Sequence, residues 1–135
     1  MRPESSLVAA EAVAAVGSIL VVEDNAVNAL ILRAMLRKLG HEPFMAVDGS
    51  EGIELAGRLR PRLVLMDLQM PRIDGFGAAR TIRRLCGDDV VLVAVTASAA
   101  PEVCNVCEDA GFACILAKPI VLAELREILG RYVAA

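Results

Sequence analysis

Five polar side chains in this sequence each follow a run of apolar residues. They are Glu23, Asp24, Asp67, Thr96 and Lys118. A carboxylate can act as a nucleophile, a lysine can neutralise an anionic oxygen, and a hydroxyl can donate a hydrogen bond to it. If folding gathers these groups, they form a site for phosphoryl transfer to a carboxylate, and Asp67 is the leading candidate for the acceptor.

Asp67 leads because of the stretch in which it lies. Residues 63–66 are apolar with no polar alternation, which is typical of a strand buried on both faces of a parallel sheet. The run stops at Asp67, and Pro71 and the Asp74-Gly75 pair then favour a loop. The sequence therefore predicts a buried strand that presents an aspartate at its C-terminal end.

Strands and helices alternate five times along the chain. Apolar runs predict the strands, and apolar residues spaced three to four apart predict the helices. The predicted strands are 18–22, 43–47, 63–66, 90–95 and 113–116, and the predicted helices are 26–39, 49–59, 75–85, 101–110 and 120–132. This alternation predicts an α/β fold: a flavodoxin-like, doubly wound (βα)5 domain with a parallel five-stranded sheet.

The strand order decides which polar groups meet. In the doubly wound order 2-1-3-4-5 the first and third strands are neighbours, so Asp24 and Asp67 face each other with Glu23 close by. Three carboxylates this close repel one another unless a cation compensates, and oxygen ligands of this kind suit Mg²⁺. Lys118 can pair with Asp67 or with a phosphoryl oxygen, and Thr96 can donate a hydrogen bond to that same oxygen.

The length and net charge of the chain indicate how many domains it forms and which partners are disfavoured. We assign one domain to residues 17–133, preceded by an N-terminal extension at 1–16. The net charge of −3 disfavours nucleic acid and membrane surfaces as partners, and no apolar run approaches the roughly 20 residues that span a bilayer. The extension is rich in Ala and Val, but Glu11 interrupts it, so we interpret it as a short helical or disordered segment of a cytoplasmic protein rather than a signal peptide.

Three of the four cysteines raise the question of a zinc site. Cys104 and Cys107 have the spacing of half such a site, and Cys114 is a possible third ligand. However, the segment that holds the first two is typical of a helix, and no second pair at metal-ligand spacing follows. Thiols that pack as small core or helix-face residues are the favoured interpretation.

Four short motifs stand in the order and spacing of a known family. They are Val21-Val22-Glu23-Asp24-Asn25 with Asn28, Leu65-Met66-Asp67-Leu68-Gln69-Met70-Pro71 with Asp74-Gly75, Val95-Thr96-Ala97, and Lys118-Pro119-Ile120. Over roughly residues 17–133 the chain resembles the response-regulator receiver domain of two-component phosphorelays. The residues of the first two motifs are most similar to those of receivers attached to hybrid sensor histidine kinases.

The resemblance implies a role for each residue of the predicted site. Asp67 would be the phosphoacceptor, and Asp24 and Asp67 would bind Mg²⁺ together with the backbone carbonyl of Gln69. Glu23 would orient a water molecule on the metal. By the same resemblance the chain is a signalling module rather than an enzyme, and its cofactor is Mg²⁺.

The resemblance also implies how the module works and with whom. Thr96 would be the switch hydroxyl and Lys118 the phosphate-sensing lysine, and the Lys118–Pro119 bond is often cis in this family. The expected partners are a sensor histidine kinase, a histidine phosphotransfer protein, or both. We expect a monomer or a weak dimer.

One position departs from the family pattern. Receivers usually have Tyr or Phe three residues before the lysine, and here that position is Ile115. The hydroxyl of Thr96 can still move toward a phosphoryl group, but the aromatic half of the switch is missing. We therefore take as a hypothesis that Ile115 helps a partner to dock on the face formed by the fourth and fifth helices.

Two other functions compete with this interpretation. A phosphatase that uses an aspartyl-phosphate intermediate usually needs a second acid two residues after its nucleophile, and Gln69 stands there. A receiver-like module that binds partners without phosphorylation would be expected to have lost the acidic pocket, but this sequence keeps it. A phosphoryl-accepting receiver is therefore the favoured function.

Overall fold

A computed structural model of the protein describes residues 19–69, 75–98 and 100–133. The described part forms one parallel sheet of order β2-β1-β3-β4-β5 with helices between the strands. In chain order the elements are β1 (Ile19–Val22), α1 (Ala26–Lys38), β2 (Phe44–Ala46), α2 (Gly49–Leu59), β3 (Leu63–Asp67), α3 (Gly75–Cys86), a 3-10 turn (Gly87–Asp89), β4 (Val91–Thr96), α4 (Pro101–Ala110), β5 (Phe112–Ala117) and α5 (Leu122–Tyr132). The predicted fold class and strand order are confirmed.

Parts of the prediction fall on residues that the structure does not describe. The extension at 1–16 and the first residue of the first predicted strand, Ser18, lie outside the described residues. The loop residues Met70, Pro71 and Asp74 of the second motif lie outside them as well.

The helix and strand boundaries follow from local backbone chemistry. The side chain of Asn25 accepts a hydrogen bond of 2.9 Å from the backbone N–H of Asn28 and so caps α1. Gly111 takes a left-handed conformation, with φ of 102°, and ends α4 as its position predicted. The predicted start of α5 at Ile120 is wrong by two residues, because Val121 is still extended and the helix begins at Leu122.

The core lies in two layers, one on each face of the sheet. One layer packs the sheet against α2, α3 and α4, through residues such as Ala56, Ile82 and Cys107. The other packs it against α1 and α5, through residues such as Leu36 and Leu125. The central strands are therefore covered on both sides, which explains why their sequences are continuously apolar.

Helix α1 has more apolar residues than its packing uses. The row through Leu32 and Leu36 is buried against the sheet, as its spacing predicted. The second apolar row that we predicted, Ala26, Leu30 and Ala34, is exposed to solvent. Because apolar residues occupy two faces of this helix, their spacing alone could not show which face packs.

Gly75 allows α3 to begin close to the end of β3. A Cβ atom at this position would lie 2.8 Å from the carbonyl oxygen of Asp67 and 2.9 Å from the Cα of Leu68. Both are backbone atoms, so no side-chain rotation could relieve the contact. The close approach of α3 therefore fixes the backbone immediately after Asp67.

We predict that Gly75→Ala destabilises the domain, by about 1 to 3 kcal/mol, because the added methyl group overpacks this contact. The matched control is Gly130→Ala in α5, where an added Cβ would meet nothing within 4 Å. That change should stabilise the domain, by about 0.5 to 1 kcal/mol, through helix propensity alone. Urea unfolding of both variants measures the difference, and equal effects in the two would contradict the close approach at Gly75.

Candidate functional site

The structure brings all five predicted polar residues to one edge of the sheet. Glu23 and Asp24 directly follow β1, Asp67 ends β3, Thr96 ends β4 and Lys118 directly follows β5. The strands are parallel and neighbouring in the order β1, β3, β4, β5, so their carboxyl ends converge. The site lies where the strand order reverses, which is where doubly wound sheets bind ligands.

Three carboxylates form the centre of the site. One oxygen from each of Glu23, Asp24 and Asp67 lies within 4.8 Å of the others. Glu23 and Asp67 are buried, with 4% and 3% of their surface exposed, whereas Asp24 is open to solvent. Among the residues that the structure describes, Glu23, Asp67 and Thr96 are the only buried polar or charged side chains. Burial of polar groups is costly, so their concentration at one edge of the sheet makes this edge the candidate functional site.

The carboxylate of Asp67 is held by two donors. Its Oδ1 atom accepts a hydrogen bond of 3.0 Å from the backbone N–H of Gln69 and one of 3.4 Å from Nζ of Lys118. The same Nζ lies 3.8 Å from Oε1 of Glu23. Lys118 therefore bridges the two buried carboxylates, and its side chain is about a quarter exposed.

One lysine does not compensate this much negative charge. The pKa of Glu23 is raised from 4.5 to about 7, first by burial and then by its hydrogen bond with Asp67, whose charge also raises it. The N–H of Asn25 and the charge of Lys118 act in the opposite direction but do not cancel the rise. The donor set of three carboxylates, one of them open to water, therefore fits a divalent cation with oxygen ligands.

Thr96 and Lys118 are joined through their backbones. The N–H of Lys118 donates a hydrogen bond of 2.8 Å to the carbonyl of Thr96, which continues the pairing of β4 with β5. The hydroxyl of Thr96 accepts a bond of 3.2 Å from the N–H of Ser98. The Lys118–Pro119 peptide bond is cis, as the resemblance implied.

Ile115 lies on β5, where it pairs with Ala94 of β4. It is half buried and packs against the layer that contains Phe76 and Phe112. Those two rings meet edge to face, with centroids 6.5 Å apart. The aromatic contact of β5 is thus made at its first residue, Phe112, and not at Ile115.

An apolar surface beside the site was not predicted from the sequence. Val27, Leu30 and Ile31 on α1 are more than half exposed, and we call these three residues the α1 apolar surface. Ile31 also lines a cavity of about 220 Å³ whose walls include Glu23 and Lys118 of the site. The signal in the sequence was the excess of apolar residues on α1 over what one packed face needs.

Within the described residues, the three carboxylates are the only group of three possible metal ligands close enough to hold one ion. The three cysteines of the alternative zinc site do not form such a group. None of the helices in the described ranges is long and apolar enough to cross a membrane.

Comparison with known proteins gives a consistent result. The response regulator receiver domain family matches residues 19–130. The peroxide stress-activated histidine kinase mak1 of Schizosaccharomyces pombe is 38% identical over an alignment 119 residues long, which covers 83% of this chain and 7% of mak1. Seven further curated relatives are also much longer, and this chain covers between 3% and 15% of their lengths.

Two solved structures resemble this one closely. The receiver domain of the sensor histidine kinase PA1611 from Pseudomonas aeruginosa, with a magnesium ion in its active-site cleft, is 39% identical with a TM-score of 0.79 and covers 87% of this chain and 98% of its own. A receiver domain solved with a phosphotransfer protein, Ssk1 with Ypd1 from Saccharomyces cerevisiae, is 29% identical with a TM-score of 0.79 and covers 86% of this chain and 88% of its own.

The raised pKa of Glu23 predicts how the free energy of unfolding depends on pH when no metal ion is bound. A carboxyl whose pKa is higher in the folded state stabilises the fold below its unfolded pKa of 4.5, and this contribution is lost as the pH rises through about 7. We predict that Glu23→Gln removes a pH-dependent loss on the order of 2 kcal/mol between pH 5 and pH 8. Urea unfolding in the presence of a chelator measures it.

The control for this prediction is Glu54→Gln, because Glu54 is an exposed glutamate whose ion pair with Arg58 lies on the surface of its own helix. This variant should keep the pH dependence of the unmodified chain. If Glu23→Gln also kept this pH dependence, the buried Glu23 carboxylate would not be its source.

Proposed function

The chain belongs to the response regulator receiver family, and from that membership we propose that it is the phosphoacceptor of a two-component phosphorelay. Asp67 accepts a phosphoryl group from a phosphohistidine donor. The observation that carries the proposal is the buried Asp67 carboxylate, which is held by Lys118 and Gln69 between two further carboxylates.

The proposed reaction needs only local movements of the side chains at the site. An oxygen of Asp67 attacks phosphorus, a bond between that oxygen and phosphorus forms, and the bond between phosphorus and the imidazole nitrogen breaks. Lys118, which already lies 3.4 Å from Asp67, then pairs with a phosphoryl oxygen. Thr96 turns its hydroxyl away from Ser98 and donates to another phosphoryl oxygen.

Glu23, Asp24 and Asp67, with the backbone carbonyl of Gln69, would hold Mg²⁺ in this site. When bound, the ion supplies positive charge that offsets the repulsion between the carboxylates and the incoming phosphoryl group. The metal-bound receiver of PA1611 supports this assignment by its likeness to the present chain. The raised pKa of Glu23 supports the assignment independently, since a bound cation would stabilise the ionised carboxylates.

The α1 apolar surface supports a relay with a histidine phosphotransfer protein. It borders the cavity whose walls include Glu23 and Lys118, so a protein that covers α1 also approaches Asp67. The likeness to a receiver solved with Ypd1 supports the same class of partner. We therefore assign this surface to the docking of a phosphotransfer protein that presents its histidine to Asp67.

Gln69 supports a signalling role over a phosphatase. It stands two residues after Asp67, is exposed, and contributes its backbone N–H to the site. An amide cannot act there as a general acid or base. The acyl phosphate then persists as a signal, and its effect passes through contacts with other proteins.

We expect the chain to gain one phosphoryl group on incubation with acetyl phosphate and Mg²⁺, because a small donor bypasses the need for a docked partner. Intact mass spectrometry measures the gain. Asp67→Asn should show none, and a chelator should abolish the gain in the unmodified chain.

If the unmodified chain shows no phosphoryl adduct, either the acyl phosphate is hydrolysed quickly or the site does not accept a phosphoryl group. Beryllofluoride distinguishes these two causes. This stable phosphoryl mimic should still bind in the presence of Mg²⁺ if hydrolysis is merely fast. If it does not bind either, the proposal is wrong and the chain is a receiver-like module that binds partners without phosphorylation.

We predict that Leu30→Gln slows phosphoryl transfer from a phosphorylated histidine phosphotransfer protein by about tenfold, the effect of losing one buried apolar anchor. Leu85→Gln on α3 is the matched control, because Leu85 is an exposed leucine on another helix. The donor is the phosphotransfer protein that transfers fastest to the unmodified chain in a panel. Equal rates for the two variants would contradict docking on α1, provided that both still react with acetyl phosphate.

A further inference from the structure

Three of the four cysteines line one cavity beside α4, a helix that packs on the face of the sheet opposite to α1. The cavity has a volume of about 370 Å³ and lies between α4 and β5. Cys104 is exposed, Cys107 is buried and Cys114 is half buried, and each of them is a thiol. Neither the metal site nor the proposed phosphoryl transfer uses these side chains.

Cys104 and Cys107 form a pair on one face of α4. Residues three apart in a helix have Cβ atoms about 5 to 6 Å apart, and both cysteines line the same cavity. Their interaction is also visible in the ionisation of Cys107, whose pKa is raised by burial and further by negative charge on Cys104. Cys104 is therefore the solvent-facing member of the pair and Cys107 the protected one.

A chain of hydrogen bonds connects this pair to the phosphoryl site. The N–H of Cys104 donates to the carbonyl of Ala100 at 3.0 Å, and the N–H of Ala100 donates to the hydroxyl of Ser98 at 3.4 Å. The N–H of Ser98 in turn donates to the hydroxyl of Thr96 at 3.2 Å. The first turn of α4 is thus linked, step by step, to the hydroxyl that is proposed to bind the phosphoryl group.

We propose that Cys104 and Cys107 form a reversible disulfide on exposure to a peroxide, and that this modification weakens phosphorylation of Asp67 by displacing Thr96. The second half of this proposal rests on the proposed function of the chain. The first half concerns the thiols alone and does not depend on it.

The reaction balances with hydrogen peroxide as the oxidant. The thiolate of Cys104 attacks one peroxide oxygen, the O–O bond breaks, and the departing hydroxide takes up a proton to leave as water. The sulfur of Cys107 then attacks the sulfenic acid on Cys104, the S–S bond forms, and a second water leaves with the oxygen. Two thiols and one peroxide give one disulfide and two waters.

Disulfide geometry explains why α4 would respond. A disulfide needs Cβ atoms about 3.5 to 4.5 Å apart, which is shorter than the spacing that a regular helix gives this pair. The helix must therefore tighten or bend around Cys104. The backbone hydrogen bond from Cys104 to Ala100 is then the first to change. Cys114 lies on the sheet and has no such constraint from α4.

The first experiment maps the disulfide. The chain, at low concentration, is treated with hydrogen peroxide, alkylated and measured by intact mass and peptide mapping. The expected result is the loss of two alkylation sites, Cys104 and Cys107, with recovery by dithiothreitol. Cys104→Ala should abolish the change, and Cys114→Ala should leave it intact. A bond that involves Cys114, a covalent dimer, or no bond at all would overturn the proposal.

The second experiment measures the coupling. Acetyl phosphate labelling of Asp67 should fall about fivefold in the oxidised chain, the effect of losing one hydrogen bond to the phosphoryl group, and should return on reduction. Cys107→Ala, treated identically, should show no fall. Equal labelling of the oxidised and reduced chain would overturn the coupling, whereas failure of the reduced chain to be labelled at all would count against the proposed function and leave the thiol chemistry standing.

Discussion

Repulsion among three carboxylates at the end of two adjacent strands is the constraint on which the site depends. Glu23 and Asp67 are buried in a domain whose described residues bury no other charged side chain, and Asp24 lies beside them. Lys118 bridges the buried pair, but its charge does not cancel the rise in the pKa of Glu23 that burial causes. A cation bound among these carboxylates would offset their mutual repulsion.

The three central strands of the sheet are uniformly apolar up to the site. Strands β1, β3 and β4 are covered on both faces, so their sequences carry no polar residue until the carboxyl edge is reached. This is why the fold and the gathering of Glu23, Asp67 and Thr96 could be predicted from the sequence. A continuous apolar run that ends on a charged residue fixes both the strand and the end at which its side chain becomes useful.

Other features could not be predicted because they depend on contacts between distant segments. The spacing of apolar residues in α1 is compatible with two packed faces, and only the position of the sheet shows that Leu36 is covered and Leu30 is not. The start of α5 depends on the extended backbone at Val121, which propensity does not reveal. The cavity shared by Cys104, Cys107 and Cys114 lies between a helix and a strand, so the sequence could suggest the three thiols as a group but not the cavity that they line.

The pairing of β1 with β3 has a consequence for how the chain folds. The neighbours β3–β4 and β4–β5 are consecutive strands, but β1 and β3 are separated by a whole strand and two helices, and their contact closes the longest loop in the described sheet. Loop closure of this kind is entropically slow and rewards the chain only when it is complete. Asp24 therefore meets Asp67 only after that closure, so nascent or partly folded chains do not carry an assembled acidic site. The assembled cluster of three carboxylates is therefore a marker of a completely folded sheet.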